Sequence, residues 1–261
     1  MSGDIRIAAV GDVHCSKTNQ GSLQPIFAAA AERADVLLLC GDLTDYGFPE
    51  EAHNLVAELA AVRVPIIAVL GNHDYESGHA EEVKRILTDG RVRVLDGDGV
   101  EVLGVGFAGV KGFGGGFGRR TLEPWGEDAT KAFVHEAVSE ALKLESALAR
   151  LQTPQRIAVL HYSPIEATVE GEPRELFPFL GSGRLEEPLN RYRVAAAFHG
   201  HAHGGFPEGA TSTGIPVYNV ALPVLRRTVS EQFPVRIVEV SVPEPVAAHG
   251  DPRSRRHDDP R

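Results

Sequence analysis

Short, continuous runs of hydrophobic residues recur along the chain, separated by polar segments. Continuous rather than alternating hydrophobicity is typical of strands that are buried on both faces. The strand-length runs are 5–10, 36–40, 65–70, 156–160 and 194–198, with two later runs at 216–220 and 235–240. Stretches with helical spacing at 24–33, 50–61 and 81–87 lie between or after the first three runs. This β-α-β-α-β order predicts a parallel sheet covered by helices.

The middle of the chain predicts other elements. Segments 91–95 and 100–105 flank an Asp-Gly-Asp-Gly turn sequence, which predicts a β-hairpin. Residues 127–151 have the spacing of one long amphipathic helix. Two segments are predicted to be irregular and to hold the specificity determinants. They are a glycine-rich flap at 111–126 and a cap at 163–193. One domain is expected over 1–242, followed by a disordered tail at 243–261 that lacks Ile, Leu and aromatic residues.

Asp, Asn or His side chains follow five of the hydrophobic runs. The carboxyl ends of parallel strands share one edge of a sheet, and ligands bind there. We therefore expect these side chains to converge, although they are far apart in the sequence. The five segments are Gly11-Asp12-Val13-His14, Gly41-Asp42-Leu43-Thr44-Asp45, Gly71-Asn72-His73-Asp74, His161, and His199-Gly200-His201-Ala202-His203.

The polar atoms of these segments are typical metal ligands. Carboxylate oxygen, amide oxygen and imidazole nitrogen suit Mn, Fe or Zn better than Cu(I) or an iron–sulfur cluster. The candidate ligands are Asp12, His14, Asp42, Asn72, His161, His201 and His203. Seven ligands are too many for one tetrahedral zinc ion, so they indicate two ions that share a carboxylate. The local charge would then be about +1, which attracts phosphate.

These motifs, over residues 12–203, resemble those of the calcineurin-like metallophosphoesterase family. The resemblance implies an α/β fold, a four-layer α-β-β-α sandwich with two stacked mixed sheets. It also implies that Asp42 bridges two divalent or trivalent metal ions. The implied ligands are Asp12, His14 and His203 for the first ion, and Asn72, His161 and His201 for the second.

The same resemblance implies a phosphoesterase in which a metal-bound hydroxide attacks phosphorus. His73 would protonate the leaving oxygen, and the carboxylate of Asp45 would accept a hydrogen bond from the other nitrogen of that imidazole. A small or cyclic nucleotide-like phosphodiester is the favoured substrate, because Tyr46 stands where the protein Ser/Thr phosphatases of the superfamily carry Arg. A phosphomonoesterase is the alternative, and a short oligonucleotide also remains a candidate substrate. A non-catalytic metal-binding scaffold is less favoured.

Four further residues near the motifs receive smaller roles. Arg119 and Arg120, at the end of the glycine-rich stretch, are candidate substrate-binding residues. Asp74 is expected to cap a turn. His199 is expected to point to the opposite strand face from its ligand neighbours and to be packed rather than metal-bound.

Composition narrows the class of protein. The 261 residues include 36 Asp and Glu against 26 Lys and Arg, a net charge of −10, which disfavours stable binding to duplex nucleic acid. No apolar run reaches the roughly 20 residues that span a bilayer. The first residues do not have the pattern of a signal peptide, and two cysteines cannot form a disulfide framework. We expect a cytoplasmic protein without membrane contact, which binds a small phosphoester.

Overall fold

The computed structural model describes residues 3–242, and its first β-sheet contains the amino-terminal strands. These are β1 (Gly3–Val10), β2 (Val36–Cys40), β3 (Ile66–Val69), β4 (Val92–Val94) and the late strand β11 (Arg236–Val242). Their order across the sheet is β11-β1-β2-β3-β4. β1 to β4 are parallel, and β11 is antiparallel to β1. The predicted β-α-β-α-β unit is therefore confirmed.

The second sheet takes up the later part of the chain. Its strands are β5 (Asp98–Val102), β6 (Val105–Gly109), β7 (Gln155–Val159), β8 (Ala196–His199), β9 (Glu208–Ala210) and β10 (Pro216–Asn219). They are ordered β5-β6-β7-β8-β10-β9. The four inner strands are parallel, and the edge strands β5 and β9 are antiparallel to their neighbours. Both sheets are thus mixed, as the family resemblance implied.

Seven helices lie between the strands of residues 3–242, and the first four along the chain occupy the positions that the hydrophobic spacing predicts. They are α1 (Gln24–Arg33), α2 (Pro49–Glu58), α3 (Ala80–Asp89), α4 (Asp128–Arg150), α5 (Phe177–Leu180), α6 (Glu186–Tyr192) and α7 (Leu222–Thr228). The long helix α4 matches the predicted segment to within one residue at each end. Across residues 3–242, no helix is both long enough and apolar enough to cross a membrane.

Alternate residues of the second sheet face two different hydrophobic layers. Phe107 and Phe198 pack with the residues of the first sheet, whereas their neighbours Ala108 and Ala197 pack with α4 residues such as Leu144. Burial of each large side chain stabilises the fold by roughly 1.5–3 kcal/mol. Strands that are covered on both faces explain why their sequences are continuously hydrophobic. The order of layers is helix, sheet, sheet, helix, which confirms the expected sandwich.

The predicted hairpin between segments 91–95 and 100–105 is wrong. β4 pairs with β3 in the first sheet, and the chain then crosses to the second sheet, where β5 pairs with β6. The actual hairpin turn is Leu103-Gly104, with φ values of 52° and 81°. A two-residue hairpin turn of the type I′ class requires positive φ at both positions. The Asp-Gly sequence upstream instead lies where the chain passes from the first sheet to the second.

The two segments that were expected to be irregular contain several short helices. Residues 163–193 include α5 and α6 together with three-residue helical turns, and residues 111–126 are mostly loop. The predicted tail at 243–261 lies outside the described residues. The domain boundary at 242 therefore stays a prediction.

Candidate metal centre

Sharp backbone turns aim the candidate ligands at one edge of the sheets. Among the described residues, seven non-glycine residues have positive φ, and four of these are candidate ligands. They are Asp12 (φ 54°), His14 (φ 42°), Asp42 (φ 48°) and His201 (φ 68°). This conformation costs an L-residue about 1–2 kcal/mol. Backbone strain of this kind clusters at functional sites, and here it lies directly after strands β1, β2 and β8.

Glycines beside the ligands let the loops pack directly against ligand side chains. A Cβ atom on Gly41, whose φ is 81°, would lie 2.4 Å from Nδ1 of His161. A Cβ atom on Gly200 would lie 2.1 Å from Oδ2 of Asp12. Any larger residue at either position would displace a candidate ligand. The Gly-Asp and Gly-His pairs of the motifs therefore have a steric origin.

Asp12, His14 and His203 form the first group of donors. One donor atom from each lies within 4.8 Å of the others. Nε2 of His203 is 2.9 Å from Oδ1 of Asp12, and this hydrogen bond raises the pKa of His203. Nε2 of His14 is buried and has no hydrogen-bond partner among the described residues. An orphaned, buried imidazole nitrogen is costly unless a cation binds it, so this group fits a metal ion.

Asp42, His161 and His201 form the second group, again with donor atoms within 4.8 Å of one another. Nδ1 of His161 donates to the carbonyl oxygen of Cys40 at 3.0 Å, which leaves Nε2 facing the site. Nε2 of His201 donates to the carbonyl oxygen of Phe179 at 3.1 Å, which leaves Nδ1. Because a carbonyl oxygen only accepts, each contact fixes which ring nitrogen is free to bind a metal ion.

In the second group, atoms that can each accept a hydrogen bond lie close together. Nε2 of His161 lies 3.0 Å from Oδ1 of Asn72 and 3.3 Å from Oδ1 of Asp42. Burial lowers the pKa of His161, but the charge and hydrogen bond of Asp42, together with the charge of Asp12 and the hydrogen bond to Cys40, outweigh burial and raise the pKa to about 9. A proton on Nε2 satisfies the acceptors, and a metal ion at the same place would displace it. The donor set therefore fits a second metal ion.

Asp42 lies between the two groups. Its Oδ1 is the atom closest to His161, and its Oδ2 is 3.9 Å from Nε2 of His14. The backbone N–H of His73 also donates to Oδ1 at 2.9 Å. Burial raises the pKa of Asp42, but the facing charge of His161 and these hydrogen bonds together lower the pKa by more than burial raises it, so the net shift is downward. An ionised carboxylate with one oxygen toward each group is suited to bridge two ions.

His73 lies beside the first group, with its ring 4.6 Å from that of His14. Its Nδ1 donates to the backbone carbonyl oxygen of Asp45 at 2.7 Å. The expectation that the carboxylate of Asp45 accepts this bond is wrong. The loop pairs with Cys15, whose carbonyl accepts from the N–H of Asp45, and the Asp45 carboxylate instead lies 3.6 Å from Nδ1 of His14.

Asp74 holds the two ligand loops together. Its buried carboxylate accepts hydrogen bonds from the backbone N–H groups of Leu43, Thr44 and Gly71 at 3.2, 2.8 and 2.7 Å. Burial raises its pKa to about 6 despite these donors. The structural role that the sequence analysis expected for Asp74 is confirmed, because the carboxylate joins the loop after β2 to the loop after β3.

Asp74→Asn is expected to lower the free energy of unfolding by about 2–4 kcal/mol, because the amide directs N–H groups at buried backbone N–H groups. Urea denaturation monitored by circular dichroism measures the change. The matched control is Asp89→Asn, an exposed carboxylate 3.8 Å from Arg85, which is expected to change stability by less than about 0.5 kcal/mol. Equal effects of the two substitutions would contradict the role of Asp74.

His199 is packed, as expected, rather than aimed at the donor groups. Its Nδ1 donates to the carbonyl oxygen of Gly200, and its Nε2 accepts from the hydroxyl of Thr168, both at 2.8 Å. Burial lowers its pKa to about 4, so the ring is neutral near pH 7.

Three further residues at the site were not singled out from the sequence. The ring of Tyr162 lies 4.4 Å from that of His201, and Nζ of Lys111 lies 5.3 Å from the Tyr162 ring. Phe179 contributes only its backbone carbonyl. Tyr162 directly follows a candidate ligand, which was a usable signal. A backbone contact such as that of Phe179 leaves no mark in the sequence. The candidate substrate residues Arg119 and Arg120 are exposed and lie outside both donor groups.

Residues 5–205 match the sequence family described as calcineurin-like phosphoesterase. The chain belongs to this family. The metal-dependent phosphoesterase activity implied by the motifs is therefore the activity of the family, and the two donor groups are the candidate sites for its two metal ions. A search of curated proteins found no match.

Solved structures of other phosphoesterases share the fold. A phosphopantetheinyl hydrolase from Mycobacterium tuberculosis is 16% identical, with 96% of this chain and 100% of that chain covered and a TM-score of 0.64. A putative 5'-nucleotidase from Staphylococcus aureus is 17% identical, with 83% of this chain and 48% of that chain covered and a TM-score of 0.53. At these identities the likeness concerns the fold alone.

Proposed function

We propose that this calcineurin-like phosphoesterase hydrolyses a small phosphodiester, with two metal ions held by the seven candidate ligands. The observation that carries the proposal is the position of Asp42, which turns one oxygen toward each donor group. The orphaned Nε2 of His14 supports the first ion. The facing acceptors around Nε2 of His161 support the second.

The chain's own residues then have distinct parts in the reaction. Two bound ions, such as Mn, Fe or Zn, would supply the Lewis acidity that activates water and offsets phosphoryl charge. His73 lies next to the first group and carries no ligand role, so its Nε2 is available to donate a proton to the leaving oxygen. The carbonyl oxygen of Asp45 holds the ring by accepting from Nδ1. Asp45 thus acts as a positioning residue.

The preference for a diester rests on what surrounds the donor groups. A phosphomonoester dianion carries one more negative charge than a diester and benefits from an extra cationic side chain. Tyr46, which is half exposed and follows Asp45, offers no charge at a position where the Ser/Thr phosphatase branch carries Arg. This supports a substrate with a single negative charge at the reacting phosphorus.

With added Mn²⁺, the protein is expected to hydrolyse bis(p-nitrophenyl) phosphate with a kcat/KM at least about tenfold above that for p-nitrophenyl phosphate. Initial rates of p-nitrophenol release measure both. A chelated sample serves as the control, and rates with Fe²⁺ and Zn²⁺ indicate the preferred metal. A phosphopantetheinyl diester belongs in the panel of natural substrates, because a hydrolase of that name shares the fold. A higher kcat/KM for the monoester would overturn the diester preference.

A further inference from the structure

A cavity of about 480 Å³ opens where the flap segment 111–126 meets the cap segment 163–193. Its volume lies in the range of small-molecule sites, which is roughly 300–1,000 Å³. Pro178 forms part of its lining, and the next residue, Phe179, is the one whose carbonyl oxygen accepts from His201. One residue therefore separates the wall of this cavity from a candidate metal ligand.

Three arginines line this cavity, namely Arg119, Arg120 and Arg174. Among residues 3–242, no carboxylate lies within 4.0 Å of any of these guanidinium groups, whereas Arg184 nearby is 3.3 Å from Glu123. Glu166 is the one acidic residue in the described lining, so positive charge predominates. In a protein of net charge −10, three guanidinium groups without a carboxylate partner among residues 3–242 make the lining of this cavity locally positive, which suits an anion.

The fold builds this cluster from two distant parts of the chain. Arg119 and Arg120 lie on the helical turn Gly118–Arg120, and Arg174 begins the turn Arg174–Leu176. The N–H of Gly115 donates to the carbonyl oxygen of Pro178 at 2.6 Å, and the N–H of Gly116 donates to that of Gly181 at 2.9 Å. These backbone hydrogen bonds hold the flap against the cap. The arginines of the two segments therefore line the same cavity.

We propose that this cavity binds a second, terminal phosphate group carried by the phosphodiester substrate, while the scissile diester lies at the metal centre. The inference rests on the proposed function and specifies its substrate class. Guanidinium groups bind phosphate oxygens with paired, charge-assisted hydrogen bonds. The aromatic rings of Phe117 and Phe177 in the same lining offer an apolar surface to the carbon skeleton that joins the two phosphates.

The test compares three dinucleotides that share one scissile diester: adenylyl-adenosine, its 5'-phosphorylated form and its 3'-phosphorylated form. The wild-type protein is expected to hydrolyse one phosphorylated form with a kcat/KM at least about tenfold above that of the unphosphorylated dinucleotide, since one charge-assisted pair accounts for that factor. In Arg174→Ala and in Arg119→Ala/Arg120→Ala, this ratio is expected to fall toward one. In Arg85→Ala, an exposed arginine 3.5 Å from Glu82, the ratio is expected to persist.

A second measurement separates this inference from the proposed function. Titration calorimetry of the same dinucleotides with Asp42→Ala measures their affinity and does not require turnover. Tighter binding of a phosphorylated form, lost on Arg174→Ala in that background, supports the cavity even if the protein hydrolyses no diester. Equal kcat/KM values and equal affinities for all three dinucleotides would overturn it. A preference that survives removal of all three arginines would do the same.

Discussion

Asp42→Ala is expected to abolish measurable hydrolysis and to leave fewer than two metal ions bound per chain. The carboxylate is buried and turns one oxygen toward each donor group, and the backbone of Asp42 is strained at φ 48°. Its removal takes a ligand from both ions at once and leaves His161 and His14 without the negative charge between them. We expect kcat to fall by at least about a thousandfold, more than loss of a residue that only orients a ligand, which costs roughly 10–100-fold.

Two measurements on the same samples check this expectation. Elemental analysis by mass spectrometry after gel filtration gives the metal content, and release of p-nitrophenol from bis(p-nitrophenyl) phosphate gives the rate. The matched control is Asp89→Ala, an exposed helix carboxylate, for which both values are expected to equal those of the wild type. Circular dichroism establishes that Asp42→Ala is folded. Two retained ions together with a rate within about tenfold of wild type would refute a bridging role.

The candidate ligands could be predicted from the sequence because the signal for each of them is local. Each candidate ligand directly follows a hydrophobic run that forms a parallel strand, and parallel strands end at one edge. That rule applies within one sheet. The convergence of Asp12 with His203, 191 positions apart, also depends on the stacking of the second sheet on the first, which only the family resemblance implied. The strained backbone at Asp12 and Asp42 shows how little freedom those positions have.

Other features depend on pairings that the local sequence does not specify. Asp-Gly is the stronger turn signal near residue 97, yet the chain turns at Leu103-Gly104, because β4 is taken up by the first sheet. The direction of the Asp45 carbonyl depends on pairing of its loop with Cys15. Arg174 joins Arg119 and Arg120 only because backbone bonds hold the flap against the cap. In each case a contact between distant segments decides the outcome.

His73→Gln is expected to slow hydrolysis by an amount that depends on the leaving alcohol. The wild-type ring lies beside His14, and its Nδ1 donates to the Asp45 carbonyl, which leaves Nε2 as the nitrogen that can serve the reaction. If Nε2 protonates the leaving oxygen, a nucleoside leaving group needs that proton far more than p-nitrophenolate, which is stable as an anion. General acid catalysis contributes roughly 10²–10⁴-fold. We expect losses of about a thousandfold for a dinucleotide and about tenfold for thymidine 5'-(p-nitrophenyl phosphate).

The comparison between the two substrates is the decisive part, because His73 has two separable roles. Offsetting phosphoryl charge would slow both substrates by the same factor, whereas proton donation slows chiefly the poor leaving group. His79→Gln is the matched control, since that imidazole is exposed and lies 3.8 Å from Glu82 rather than at the donor groups. It is expected to leave both rates unchanged. Equal losses for the dinucleotide and the p-nitrophenyl ester in His73→Gln would exclude proton donation and leave His73 a charge-offsetting role, with the leaving oxygen taking its proton from solvent.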